Sequence, residues 1–142
     1  MPEFDLDAFL SAPALFSNKC LDPECREVLV AGGWCNFSHP YEPLGVVWCH
    51  CTGEGYHHFR AYYRYVGASI DRAMVGRGEH RQNRCPACGG EGEPRGARDE
   101  RGRSIQYRPI ESRVFSHQQC RICNLPWSDV YEFDQIVEDT DV

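Results

Sequence analysis

The chain is 142 residues long, 42% hydrophobic and formally −6 at pH 7, enough for one domain or two very small ones. No stretch approaches the roughly 18 apolar residues needed to span a bilayer, and MPEFDLDAFL opens with three acids where a secretory leader would carry Lys or Arg; the expectation is a cytoplasmic protein that meets no membrane. Nine cysteines in such a reducing compartment stay thiols, and an odd number with close C-x-x-C pairs points to metal ligation and not to disulfides.

Residues 1–19 combine acids with Phe4, Leu6, Phe9, Leu10, Leu15 and Phe16, as a short helix that docks on the body or on a partner would. Two strands are expected next, REVLVAGGW at 26–34 and PLGVVWC at 43–49, with NFSHPYEP as the loop between them. From His57 to Met74 the apolar positions Phe59, Tyr62, Tyr63, Val66, Ile70, Ala73 and Met74 recur at helical spacing, which predicts one amphipathic helix stopped by Gly76 and Gly78. Arg60 and Arg64 leave that helix from a different face. EGEPRGARDERGR at 91–103 has almost nothing apolar and reads as a mobile loop. Residues 104–119 alternate well enough for one or two strands broken at Pro109, and WSDVYEF at 127–133 reads as the last strand.

The expected architecture is α+β. It is a small zinc-stabilised domain with short antiparallel strands, one amphipathic helix and a C-terminal zinc ribbon. In segments, it has an acidic stretch at 1–19, a hairpin plus helix with a second knuckle at 20–80, the ribbon at 81–133 and an acidic tail at 134–142.

The ribbon rests on Cys85-Pro-Ala-Cys88 and Cys120-Arg-Ile-Cys123. Each C-x-x-C makes a tight turn that aims two sulfurs at one point, and two such turns facing each other supply the tetrahedral four-sulfur shell that Zn²⁺ prefers. Gly89 and Gly90 follow the first pair and Asn124 the second, where backbone N–H groups approach the thiolates. Four thiolates around one Zn²⁺ leave about −2 charge, which Arg84 and Arg121 can offset. A second zinc is possible. Cys51-Thr-Gly-Glu-Gly55 repeats the C-x-G-x-G of Cys88-Gly-Gly-Glu-Gly92, and Cys20, Cys25, Cys49 and Cys51 would complete a second four-thiolate set, leaving Cys35 unpaired. His50, His57, His58, and Cys35 with His39, are competing ligands.

Two family resemblances follow from these residues. Cys85 to Phe133, ending in CRICNLPWSDVYEF, resembles the zinc ribbons of small bacteriophage proteins, in which the second knuckle runs straight into a strand; the resemblance implies a ribbon fold and a viral or prophage origin. CPACGGEG is similar to the C-x-x-C-x-G-x-G repeats of DnaJ-type zinc domains, with CHCTGEG as a degenerate copy, and this implies knuckle geometry alone.

Charge is unevenly placed. Residues 1–59 hold Lys19 and Arg26 against eight acids, residues 60–121 hold thirteen Arg against seven acids, and residues 122–142 hold six acids and no base. The basic middle carries Arg60, Arg64, Arg95, Arg98, Arg101, Arg103, Arg108 and Arg113, which are candidate contacts to phosphate or to an acidic partner surface. The leading expectation is a non-enzymatic zinc module that docks on nucleic acid or on a polymerase or replication protein. A nuclease of the HNH kind is the alternative, with His57-His58, Asn83 and either His80 or His117 in the metal-binding roles. A host-directed inhibitor acting through protein contacts alone is a third reading. No phosphate-binding loop, nucleophile elbow or H-E-x-x-H is present, so a small-molecule substrate is not expected.

Overall fold

The structure, a computed structural model, describes residues 16–37, 44–55, 57–71, 73–77 and 81–139. Seven strands form one antiparallel sheet: β1 (Leu29–Asn36), β2 (Leu44–Cys51), β3 (His58–Ile70), β4 (Ala73–Arg77), β5 (Gly92–Arg98), β6 (Arg113–Cys120) and β7 (Pro126–Glu138). Their order is β1-β2-β3-β7-β6-β5, with β4 paired to β3. Among the described residues there is no helix, so the domain is all-β and the α+β expectation does not hold. No helix is long and apolar enough to cross a membrane. Of the helix expected within 1–19, residues 16–19 are not helical and Lys19 bridges Val28 instead; residues 1–15, His39, His80 and the last three residues of the acidic tail lie outside the described residues.

The helix expected over 57–74 is β3, its turn and the start of β4. Helical spacing arose there because both faces of β3 are covered. Phe59, Ala61 and Tyr63 point to one side and Arg60 and Tyr62 to the other, and all five are buried. A central strand buried on both faces loses its two-residue alternation, and its apolar positions then fit a helical stripe equally well. The Tyr, Phe and Val content favours the strand. Gly67 (φ 147°) sits at a bulge opposite β7.

Two further expectations change. The loop read at 91–103 contains β5, which pairs with β6 through a bulge at Pro94/Gly96, where Gly96 has φ 109°. Its Glu93, Pro94 and Arg95 are exposed and only Ala97 packs on the core, so main-chain pairing dominates and no hydrophobic pattern betrays the strand. The acidic tail expected from 134 is largely β7, which pairs with β3 as far as Glu138.

The sheet curls into a half-barrel. Five register shifts, at Ala31/Cys35, Tyr62/Tyr63, Tyr65/Gly67, Ala68/Ser69 and Pro94/Gly96, supply the bends. The inner face packs Leu29, Ala31, Val47, Phe59, Ala61, Tyr63, Val114 and Tyr131 into one core. The β5–β6 connection then crosses the opening and adds to the free edge of β1. Tyr107 N–H donates to the Ala31 carbonyl (2.8 Å), Ala31 N–H to the Arg108 carbonyl (2.9 Å) and Ile110 N–H to the Leu29 carbonyl (2.9 Å). Ile105 and Ile110 from this connection plug the core.

A polar cluster holds one end of the inner face. Asp129 is fully buried and accepts from the Asn83 backbone N–H (2.7 Å) and from Trp127 Nε1–H (2.9 Å). Gln82 Nε2 donates to the Phe37 carbonyl (2.7 Å) and to the Tyr131 hydroxyl (3.0 Å), which ties the 81–84 segment to the end of β1. Asp129→Ala strands two buried donors, and is expected to lower the unfolding free energy by about 2–4 kcal/mol, measured by urea denaturation of the metal-loaded protein.

Candidate metal centres

The first ligand set forms where two knuckles meet at the mouth of the β5–β6–β7 ribbon. They have matching hydrogen bonds. Cys85 N–H donates to the Gly90 carbonyl (2.8 Å) and Gly89 N–H to the Cys85 carbonyl (2.9 Å). In the second knuckle Cys120 N–H donates to the Leu125 carbonyl (2.9 Å) and Asn124 N–H to the Cys120 carbonyl (3.1 Å). Gly89 (φ 75°) and Asn124 (φ 62°) occupy the same left-handed position, which Gly and Asn tolerate best. A Cβ at Gly90 would meet Cys120 Sγ at 3.1 Å and Cys88 Sγ at 3.2 Å, so the first knuckle closes only over a glycine.

Four sulfurs converge as a result. Sγ–Sγ distances are 3.5 Å for Cys88–Cys120 and 3.7 Å for both Cys85–Cys123 and Cys88–Cys123. A tetrahedron with Zn–S near 2.3 Å has a sulfur–sulfur edge of about 3.8 Å. Cys85 and Cys120 are buried, and Cys88 and Cys123 are exposed. N–H groups of Ile122 and Cys123 point at Cys120 Sγ (3.3 and 3.4 Å). The Cys123 N–H, against the opposing effect of burial and with help from Ile122, holds the Cys120 thiol down at about 6.

The second set lies at the opposite end of the inner face and combines three sulfurs with an imidazole. Cys20 and Cys25 bracket an Asp-Pro turn in which the Asp22 carboxylate accepts Glu24 N–H (2.9 Å) and the Asp22 carbonyl accepts Cys25 N–H (3.0 Å). Cys51 ends β2 and His57 precedes β3. Around the hairpin between them, Cys51 N–H donates to the His57 carbonyl (2.9 Å) and His57 N–H to Cys51 Sγ (3.1 Å). His57 Nδ1 stands 3.3 Å from Cys20 Sγ and 3.5 Å from Cys51 Sγ, and Cys25 Sγ is 3.8 Å from Cys51 Sγ. With Zn–N near 2.0–2.1 Å the sulfur–nitrogen edge of a tetrahedron is about 3.5 Å. The other ring nitrogen, Nε2, faces the Asp22 carboxylate at 3.4 Å. A carboxylate on the outer nitrogen keeps the proton there and leaves the Nδ1 lone pair for a metal. Both sets place all their ligand atoms within 4.8 Å of one another and could hold a metal ion.

Cys49 stands outside this group. It shares a strand face with Cys51 but lies about 6.6 Å back along the strand, where its thiol donates to the Phe59 carbonyl (3.6 Å) inside the core. Burial pushes the Cys49 thiol up to about 12. Burial also opposes ionisation of Cys51, but N–H groups of His57 and Gly53 and the His57 ring outweigh it and bring that thiol to about 7. His58 points to the other face, with its ring centroid 6.3 Å from that of His50 across the β2–β3 pair. Cys35 is exposed on β1. The clue to His57 was present in the sequence, since Cys51 and His57 flank a short segment holding Gly53 and Gly55.

The HNH constellation is not assembled. His57 joins the thiolates, whereas Asn83 binds Asp129, which pairs with Ala68, ten residues along β3 from His58; at ~3.3 Å per residue that separation is on the order of 30 Å. His117 accepts from or donates to Ser128 (2.7 Å) on the outer face of the ribbon. The arginines divide as well. Arg60 is buried against Asp139 (3.7 Å) and is not available to a partner. Arg103 is bound to Asp99 (2.9 Å), Arg113 to Glu132 (3.0 Å) and Glu100 (3.6 Å), and Arg95 to Glu93 (3.6 Å) and Gln119 (2.7 Å). Arg64 is exposed and Arg98 half-buried. Arg101 and Arg108, both exposed, make no ion pair among the described residues.

Cys49→Ala is expected to leave metal content unchanged and to destabilise by roughly 1 kcal/mol through a small cavity, while His57→Ala removes one metal per chain; the reverse pattern in elemental analysis would make Cys49 the ligand. Asp22→Asn is expected to weaken the His57 centre by about 10- to 100-fold and to leave the four-sulfur centre untouched, as read by competition with a chromophoric chelator.

No family model matches the chain, and no curated protein and no solved structure is significantly similar to it.

Proposed function

We propose that the chain is a non-enzymatic, zinc-organised β module that docks on a macromolecular partner, either nucleic acid or a protein of the transcription or replication machinery. The observation that carries this reading is the pair of complete four-ligand sets, one packed on the main core and the other on a smaller cluster with Ala68 and Trp127. Four protein donors fill a tetrahedral shell and leave no open position for substrate or water, the arrangement of a structural centre and not a catalytic one. A Cys₄ and a Cys₃His set with edges of 3.3–3.8 Å suit Zn²⁺. Docking is supported by charge, since residues 60–121 hold thirteen Arg against seven acids, and Arg101 and Arg108 are exposed and uncompensated.

Elemental analysis of the purified protein is expected to find two zinc ions per chain, with two thiols, Cys35 and Cys49, outside the centres. Chelation should release both ions, expose seven further thiols and collapse the cooperative unfolding transition. Protein that arrives without metal, with its thiols oxidised, would defeat the reading; iron in place of zinc would change the metal and preserve the scaffold.

A further inference from the structure

On the outer side of the β1–β2 edge lies a groove of about 610 Å³ walled by Trp34, Trp48 and Tyr107, with His50 and His58, the chain neighbours of Cys51 and His57, also in its lining. Trp34 is 78% exposed and Tyr107 73% exposed. Neither ring supports the core, and two large aromatics held out in water beside each other mark a recognition surface. Both are placed by the backbone. Trp34 stands in the β1 bulge between Ala31 and Cys35. Tyr107 is fixed by its N–H bond to Ala31 and by the neighbouring Gln106 side chain on the Gly33 carbonyl (3.3 Å). Its φ of 63° is a conformation that bulky residues avoid. The closure bond to Ala31 accounts for that backbone, and the exposed ring is what closure leaves over. Between the walls the floor is bare, because Gly32 and Gly33 carry no side chain; a Cβ on Gly33 would sit 3.6 Å from the Tyr107 hydroxyl.

Charge selects the occupant. His50 and His58 line the groove and no carboxylate among the described residues does, so an aromatic cage for a quaternary ammonium lacks an anionic partner among them. The connection that carries Tyr107 also carries Arg101 and Arg108, whose charges no described acid neutralises, whereas Arg103 is absorbed by Asp99. Flat aromatic faces with a cation next in the chain, Arg108 beside Tyr107, fit flat bases joined by phosphates. We infer that this groove binds single-stranded nucleic acid, with bases stacked on Trp34 and Tyr107 and phosphates met by Arg108. The inference rests on the docking-module reading and names its partner and surface.

The test titrates labelled oligothymidylate, about a dozen nucleotides long, into metal-loaded protein and follows anisotropy and tryptophan quenching at several salt concentrations, with metal content and melting temperature measured on the same samples. Binding is expected to quench Trp fluorescence and to weaken with salt. Trp34→Ala and Tyr107→Ala should each lower affinity by about 5- to 150-fold with melting and metal content unchanged. Arg108→Ala should reduce the log–log salt slope by about 0.7. Absence of binding by fully metallated, folded protein would overturn the groove and leave the zinc module standing, whereas unmetallated protein would defeat the module itself. Binding that both aromatic variants leave unchanged, preference for duplex, or a dimer that Trp34→Ala dissolves would each overturn the assignment as well.

Discussion

A single sheet has one face that must be covered, and in this domain no helix does the covering among the described residues. The chain meets that constraint by bringing the β5–β6 connection round to the free edge of β1. Three main-chain hydrogen bonds along Leu29, Ala31, Tyr107, Arg108 and Ile110 draw the two sides of the curled sheet together over the buried tyrosines. Unpaired donors and acceptors on the β1 edge are satisfied in the same stroke, which removes a site for edge-to-edge association. The core is therefore made by closure and not by stacking layers, and each side of the seam must be held in place from outside it.

The two ligand sets are positioned to do that. The four-sulfur set pins the start of β5 against the end of β6, since Gly92 pairs with Cys120; the far end of that ribbon is the connection that crosses the opening. The Cys20, Cys25, Cys51 and His57 set holds the other side. Cys20 N–H bonds the Glu27 carbonyl and Leu29 N–H bonds the Asn18 carbonyl, so the knuckle leads directly into β1. Cys49 and Cys51 show how finely such a set is drawn. They share one face of one strand, yet one rung decides whether sulfur sits among several N–H groups and an imidazole or deep in the core beside the Phe59 carbonyl, and their acidities part from about 12 to about 7 accordingly.

What the sequence disclosed follows the range of the physics involved. C-x-x-C turns are local, so the grouping of Cys85 and Cys88, and of Cys120 and Cys123, is visible in the residues themselves. Strands with one wet face, such as β6 with Val114, Ser116, Gln118 and Cys120 inward, are visible for the same reason. β3 was hidden because its second face is buried by tertiary contacts that no window contains. β5 was hidden because Ala97 alone of its side chains packs on the core as a hydrophobic group, too little to make a pattern. His57 was named among the competing ligands, but the choice between it and Cys49 depends on where β2 ends, and strand ends are set by the hairpin as a whole. Arg60 looked like a free cation and is buried against Asp139, a contact between residues 79 positions apart.

The seam and the aromatic groove occupy the same stretch of chain, and this couples fold to surface. Tyr107 contributes its backbone to closure and its ring to the outer wall; Trp34 projects from the bulge that lets β1 bend toward the connection. Each wall is anchored through a different ligand set, Trp34 by way of β1 and the Cys20 knuckle, Tyr107 by way of the β5–β6 ribbon and the Cys120 knuckle. Neither set touches the groove, but the spacing between the two rings is a property of both. Loss of one set would leave its wall free to move relative to the other, so recognition at the groove would fail before secondary structure did. A sheet that closes at its binding surface thus makes the integrity of two distant ligand clusters readable at one place on the outside.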